Sequence, residues 1–294
     1  MRTCDSEYPV SYSDYKRVRI ETEGRLLTAT LNNPPLNLIN QELLDELGAF
    51  TDELAADPEA LVVVIKSADP DFFIPHAELA TLYAMQPDAP PASPSDTSPN
   101  SIHRICERIR TMDTVSIAQV EGRAGGGGAA LVMACDMRFG AIGKAIFNNM
   151  AVPFGSVPGG GASQYMPRLI GRARSLELIL GGIDLDAVTA ERWGYLSRAL
   201  EPEQIDEFVH SMASRIAASS PDAVRLTRAL VVAAQERPVE EGLREESFSL
   251  QHLMASDDSR ASIRRFLEIG GQTRDGEKRL DELLADVIRT SATI

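Results

Sequence analysis

The chain has 294 residues, and 43 acidic against 29 basic side chains give it a formal net charge of −14. That balance excludes nucleic acid and anionic membrane as principal partners, since a polyanion is repelled unless a local basic patch intervenes. With 44% hydrophobic and 24% charged residues, the composition is that of a soluble protein with a sizeable core, one large domain or one domain plus a helical extension.

Cys4, Cys106 and Cys135 have no metal-ligand spacing and are too few for a disulfide framework. The stretch from Met1 to Tyr15 is polar and acidic, without a basic start and an apolar run. No apolar segment reaches the length of a membrane span. The expected location is cytoplasmic.

In chain order, Val18 to Glu21 and Leu26 to Leu31 read as two strands joined at Glu23-Gly24. Asn32-Asn33-Pro34-Pro35 stops the second. Asn40 is a good N-cap for an amphipathic helix carrying Leu43, Leu44, Leu47, Phe50 and Leu54. Leu61 to Ile65 is an unbroken apolar, β-branched run, the mark of a strand buried on both faces. Strand, helix and strand at this spacing predict a parallel pairing with a crossover.

Residues 71–79 read as a loop leading into a short helix, with Tyr83 expected to pack on that helix. Five prolines among Ser, Asp and Ala over 86–100 predict a mobile loop. A helix from about Ile102 to Met112 returns the chain to a strand at Val115 to Val120. Four glycines, Gly125 to Gly128, then open a helix of small apolar residues. Glycine lets backbone amides approach a ligand closely, and a helix N-terminus favours negative charge. Short strands follow at Met137 to Phe139 and Ala145 to Phe147, and a second glycine loop spans Gly155 to Gly161.

From Arg172 onward the pattern is helical, apart from a short strand near Leu196 to Ala199. Helices are expected over 202–218, 221–235, 239–254, 259–269 and 277–289. The resulting fold class is α/β, with stacked βαβ-like units in a core over 16–200. An N-terminal extension occupies 1–15 and a helical C-terminal region 201–294.

Several chemistries are excluded. The glycine run lacks the Lys-Ser/Thr of a phosphate loop, no G-x-S-x-G elbow occurs, and His76, His103, His210 and His252 lack paired metal spacing. No metal or separate cofactor is expected.

Taken together and in order, four segments resemble the crotonase superfamily, also called the enoyl-CoA hydratase/isomerase family. Asn33-Pro34-Pro35-Leu36-Asn37 is similar to its turn near the CoA adenine, and Phe73 to Leu79 to its first oxyanion loop. Gly122 to Asp136 resembles the second oxyanion segment, and Gly155 to Gly161 the following glycine element. The match runs from about Val18 to Ala218. It implies a crotonase-like spiral of ββα units, a homotrimer or dimer of trimers, and an acyl thioester whose coenzyme A is part of the substrate. It further implies that the thioester oxygen is held by the backbone amides of Ala77 and Gly127. Loss of one such donor typically costs about 3 kcal/mol of transition-state stabilisation.

Two departures matter. The positions of the two glutamates used by hydratases are Ala130 and Ala151, so paired acid–base addition of water has no carboxylates there. His76 and Asn149 are the side chains left as catalytic candidates. A histidine beside an oxyanion amide can move a proton or donate to a carbonyl; alternatively it caps the loop. Asn148 and Asn149 can orient water or bind a carbonyl, or simply complete a strand end. Leu36, Leu38, Asn148, Ala130 and Ala151 are expected to line the substrate. Glu78 is expected to brace the loop, Asp136 to make structural hydrogen bonds, and His252 to lie on the surface. The leading expectation is an enolate-stabilising enzyme of decarboxylation, C–C cleavage or rearrangement. The alternatives are a catalytically silent subunit of this fold, or an enzyme acting on a non-thioester carbonyl.

Overall fold

A computed structural model describes Tyr12, residues 15–84 and residues 93–291. The expected N-terminal extension lies mostly outside the described residues. Tyr12 and Tyr15 stand edge-on to Phe50, with ring centroids 5.9 and 6.2 Å apart.

Strands β1 (Val18–Glu23) and β2 (Leu26–Leu31) form an antiparallel hairpin turning at Gly24. The chain then enters helix α1 (Gln41–Ala56), whose cap Asn40 accepts a hydrogen bond from the Leu43 amide at 3.0 Å. One face of α1 buries Leu43, Leu47, Phe50 and Leu54, the period of an amphipathic helix. Strand β3 (Val62–Ser67) lies parallel to β2 with Leu26 opposite Val62. Its side chains alternate between two apolar clusters. Val63 and Ile65 face the one containing α1, while Val62 and Val64 face Ile205, Val209 and Ala213. A strand covered on both sides needs apolar residues at every position, which is why this run is unbroken.

After β3 comes β4 (Phe72–Ile74), then α2 (Leu79–Ala84), a short 3-10 turn at Pro94–Asp96, and α3 (Ser101–Thr111). The next turn of the spiral is β5 (Val115–Val120), β6 (Arg123–Gly125) and α4 (Gly127–Ala134). The third is β7 (Met137–Ala141), β8 (Ile146–Asn148), a 3-10 turn at Val152–Phe154 and α5 (Ala162–Gly181). Each turn contributes one strand to each of two sheets. The larger has the order β1-β2-β3-β5-β7-β10 and the smaller β4-β6-β8-β9, where β9 is Leu185–Asp186 and β10 is Arg198–Leu200. The sequence reading of 71–79 as a loop is thereby corrected in part, since Phe72–Ile74 pairs in parallel with β6. Three-residue strands are too short to show a period of two.

Helix α6 (Ala187–Trp193) links β9 to β10, and α7 (Ile205–Ala217) covers the second face of the larger sheet. The C-terminal part continues through α8 (Pro221–Ala233), α9 (Val239–Met254), α10 (Asp257–Glu268), α11 (Arg274–Glu277) and α12 (Leu280–Ser291). No helix among the described residues is long and apolar enough to cross a membrane. The expected mobile loop at 86–100 lies outside the described residues up to position 92.

Helix α4 occupies the centre of the spiral. From Gly128 to Ala134 every residue is buried. A helix apolar on all sides can only be a core element, and here it holds its N-terminus fixed inside the protein.

Candidate active site

The first arm of the site is the segment after β4. Ile39 forms an isolated parallel bridge with Ala77. Its amide donates to the His76 carbonyl at 3.0 Å, and its carbonyl accepts from the Glu78 amide at 2.8 Å. In a parallel bridge the flanked residue turns its own peptide groups to the opposite edge. The Ala77 N–H therefore points away from Ile39. The Ala77 carbonyl accepts from the His76 ring Nδ1 at 2.7 Å, a contact that fixes the orientation of the ring.

The second arm is the turn into α4. Gly126 has φ 52° and ψ −113°, a backbone region open to glycine but strained for other residues. Its amide donates to the Asn148 carbonyl at 3.2 Å and its carbonyl accepts from the Ala130 amide at 3.1 Å. That last bond is the first of the helix, so the Gly127, Gly128 and Ala129 amides precede the ladder. They carry the positive end of the helix dipole.

Ile39 joins the two arms. Besides bridging Ala77, its δ-methyl would lie 2.6 Å from a Cβ built on Gly127. Gly127 therefore has no side chain because Ile39 occupies that space. Ala77 and Gly127, read from sequence as a donor pair, are brought to one place by a residue whose role the sequence reading missed. A third wall is Gly160, where an added Cβ would lie 2.7 Å from the Ala130 methyl and 3.5 Å from Gly127 Cα. Ala130 is 0% exposed. Ile102, at the start of α3, completes this wall: its Cγ1 lies 3.7 Å from the Cβ positions of both Gly127 and Gly160.

The remaining candidates are distributed around these groups. Asn149 is buried and its Oδ1 accepts from the Ala151 amide at 3.2 Å. Ala151, half-buried, begins the 3-10 turn and accepts from the Phe154 and Ser156 amides. Asn148 is turned toward a charged pair: its Nδ2 donates to Asp184 at 3.0 Å, and Asp184 accepts both Arg123 guanidinium nitrogens at 2.7 and 2.8 Å. Arg123, and secondarily Asn148, hold the Asp184 carboxyl below the usual carboxylate range. The Asn148 Oδ1 is buried and has no hydrogen-bond partner among the described residues.

Leu36 is exposed and Leu38 half-buried on the turn after β2. That turn is pinned by two buried asparagines. The Asn33 amide donates to Asn37 Oδ1 at 2.6 Å, and Asn37 Nδ2 donates to Ser67 at 2.7 Å. Glu78 accepts from the Thr81 hydroxyl one helical turn on. Asp136 accepts from the Ser116 amide and from Arg228, each at 2.8 Å. Tyr83 is 93% exposed, a correction to the expected packing on its helix, where Leu79, one turn before it, is itself exposed. His252 is exposed on α9, stacked on Phe248.

A cavity of about 820 Å³ lies at the other end of α4, between α3, α5 and α8, and none of the candidate residues lines it. Among the described residues no cluster of His, Cys, Asp and Glu could hold a metal ion.

Comparison with known proteins identifies the family and the fold. The enoyl-CoA hydratase/isomerase family profile matches residues 21–273. The short-chain-enoyl-CoA hydratase of Clostridium acetobutylicum is 27% identical over 265 residues, covering 87% of this chain and 96% of that protein. The solved structure of Pseudomonas aeruginosa DspI is 27% identical with a TM-score of 0.77, covering 90% of this chain and 97% of the other. An enoyl-CoA hydratase structure from Geobacillus kaustophilus is 25% identical with a TM-score of 0.79, covering 89% and 97%. A spiral of ββα turns around a buried helix, matched along nearly its whole length, places this chain in the enoyl-CoA hydratase/isomerase family, the crotonase superfamily.

Proposed function

We propose that this protein binds an acyl thioester of the coenzyme A type and stabilises an enolate-like intermediate between the amides of Ala77 and Gly127. The observation that carries the reading is Ile39, whose backbone bridges Ala77 and whose δ-methyl fills the space where Gly127 would carry a side chain, so one residue links the two candidate donor segments. A thioester enolate concentrates its charge on one oxygen. Two preorganised amides in a water-poor site stabilise that oxygen without reorganising as the charge develops.

The proton chemistry differs from a two-acid hydratase. Ala130 and Ala151 offer methyl groups, and neither can act as general acid or base. Chemistry that needs mainly the enolate fits better: decarboxylation, C–C cleavage or a rearrangement. His76, held by its Nδ1 contact to Ala77, is the candidate proton carrier, and Asn149 the candidate amide that orients a water or a carbonyl. The second reading is a binding subunit without turnover. Both acid positions being alanine, one of them sealed against Gly160, favours it.

Assembly as a homotrimer or dimer of trimers, in the cytoplasm, completes the proposal. In support, large apolar side chains stand exposed on both the core and the C-terminal helices, Phe154 at 60% and Phe248 at 71%. Exposed apolar surface on this scale suits a protein interface.

Calorimetric titration with acetyl-CoA, crotonyl-CoA and malonyl-CoA, each followed by product analysis, tests the reading. Binding of these thioesters, without hydration of crotonyl-CoA, is expected. No binding at millimolar thioester would remove the acyl-CoA reading. Hydration of crotonyl-CoA at rates typical of two-acid enzymes would contradict the proposed proton chemistry. Binding with no turnover across a broad thioester panel would establish the silent subunit instead.

A further inference from the structure

Resting on the acyl-thioester reading above, we propose that Ile102 limits the size of the acyl group and that Asn100 is the positioning residue that keeps it in place. The site then takes short acyl chains and rejects long ones.

If the carbonyl is held by the Ala77 and Gly127 amides, the acyl carbons must leave past the walls that surround Gly127. One wall is closed by the Ile39 δ-methyl. Another is closed where Gly160 meets the Ala130 methyl, an approach with no room for even one added carbon. Ile102 spans these two walls, its Cγ1 equally distant from the positions that a Cβ on Gly127 or on Gly160 would take. It is only half-buried, so it stands on the open side, where a longer chain has to pass. A β-branched side chain with restricted rotamers at the start of a helix cannot fold aside easily.

Asn100 fixes that geometry from two directions. Its Oδ1 accepts from the His103 amide at 2.9 Å, capping α3, while its Nδ2 donates to the Gly159 carbonyl at 2.8 Å. One side chain thus ties the first turn of α3, which carries Ile102, to the loop that carries Gly160. Neither Ile102 nor Asn100 belongs to the donor pair or to the proton chemistry proposed above.

The test is a calorimetric series of acetyl-, butyryl-, octanoyl- and dodecanoyl-CoA on the full chain. Wild type is expected to lose at least about tenfold in affinity between butyryl and octanoyl, in line with the discrimination that one crowded methylene produces. Ile102→Ala should remove most of that loss, and Ile102→Trp should bar butyryl while still admitting acetyl. Asn100→Ser keeps a competent cap but is too short to reach Gly159. It should shift the chain-length ratio toward that of Ile102→Ala with an unchanged melting temperature, a pattern that a purely structural role does not produce. A wild-type preference for octanoyl, or an identical chain-length ratio in Ile102→Ala, overturns the size limit while leaving the acyl-CoA reading standing. An unshifted ratio in Asn100→Ser overturns its positioning role. If wild type binds none of the four thioesters, the acyl-CoA reading and this inference fall together.

Discussion

Between Gly160 and Ala130 the protein has no spare volume. A methyl on Gly160 would sit 2.7 Å from the Ala130 methyl, and neither is the flexible end of a side chain that could swing away. Gly160→Ala is therefore expected to cost about 1–3 kcal/mol of stability, the usual range for overpacking, and to weaken acyl-CoA binding by displacing the loop from Gly127. Adding Ala130→Gly restores the room. The double variant should regain binding while remaining less stable than wild type, by about 1 kcal/mol for a glycine inside α4. Urea unfolding and calorimetric titration of the two variants check both parts. At His76 the expectation concerns the proton. His76→Gln should slow any enolate-dependent turnover by about 100-fold or more, within the range that general acid–base groups supply, while acyl-CoA affinity stays near wild type. Unchanged turnover with a confirmed substrate removes His76 from the chemistry.

Helix α8 is held by an ion pair as well as by packing, with Val224 lying against the apolar cluster on the larger sheet. None of its residues is fully buried. Its anchor is Arg228, with a side chain 8% exposed, which donates to Asp136 and to the carbonyls at the end of α3. Removing the guanidinium leaves a mostly buried carboxylate unpaired, so Arg228→Ala is expected to cost about 3–5 kcal/mol. Asp136→Asn in the same chain should lessen that cost, as a double-mutant cycle in urea measures.

The smaller sheet carries a pH-dependent contact of the opposite kind, near the surface. Asp184 has its folded-state pKa depressed below the ordinary 3.8 by Arg123 and Asn148. The bond therefore stabilises the fold above pH 3.8 and is lost as pH falls through the depressed value. Asp184→Asn should lower the melting temperature modestly at pH 7, since the pair is half-exposed and screened. At the acidic end of the range, the difference from wild type should vanish.

Elements with a strong local signal were legible in the sequence. Asn40 and the leucine face of α1, the unbroken apolar run of β3, and the glycine turn into α4 each carry their reason within a few residues. Strands β4 and β6 were not legible: each lies inside a segment read as a loop or glycine turn, and each is a strand only through the smaller sheet, β4 pairing with β6 and β6 with β8.

On the scale of the whole molecule, the segment after β4 and the glycine turn into α4 could be located by their order along the chain, and the family resemblance makes the Ala77 and Gly127 amides the candidate donors there. What surrounds them could not be. Ile39, the Asn100–Ile102 turn and Gly160 come from three separate stretches that meet only through the spiral, and an isoleucine or a capping asparagine carries no mark of a site in one dimension. The same limit applies to the Asn33–Asn37 turn, where the proline pair is visible but the bonds to Ser67 and Phe72 are long-range. The central claim is that Ala77 and Gly127 polarise one thioester oxygen in a site that lacks the two usual acids. Isotope-edited infrared spectroscopy of carbonyl-labelled acetyl-CoA bound to the full chain tests it most directly. The account predicts a thioester carbonyl band shifted to lower frequency than in water, and a loss of that shift when the Gly127 peptide nitrogen is replaced by an ester oxygen, which removes the donor without adding a Cβ against Ile39. A bound thioester whose band is unshifted, or a shift that survives the ester replacement, would contradict it.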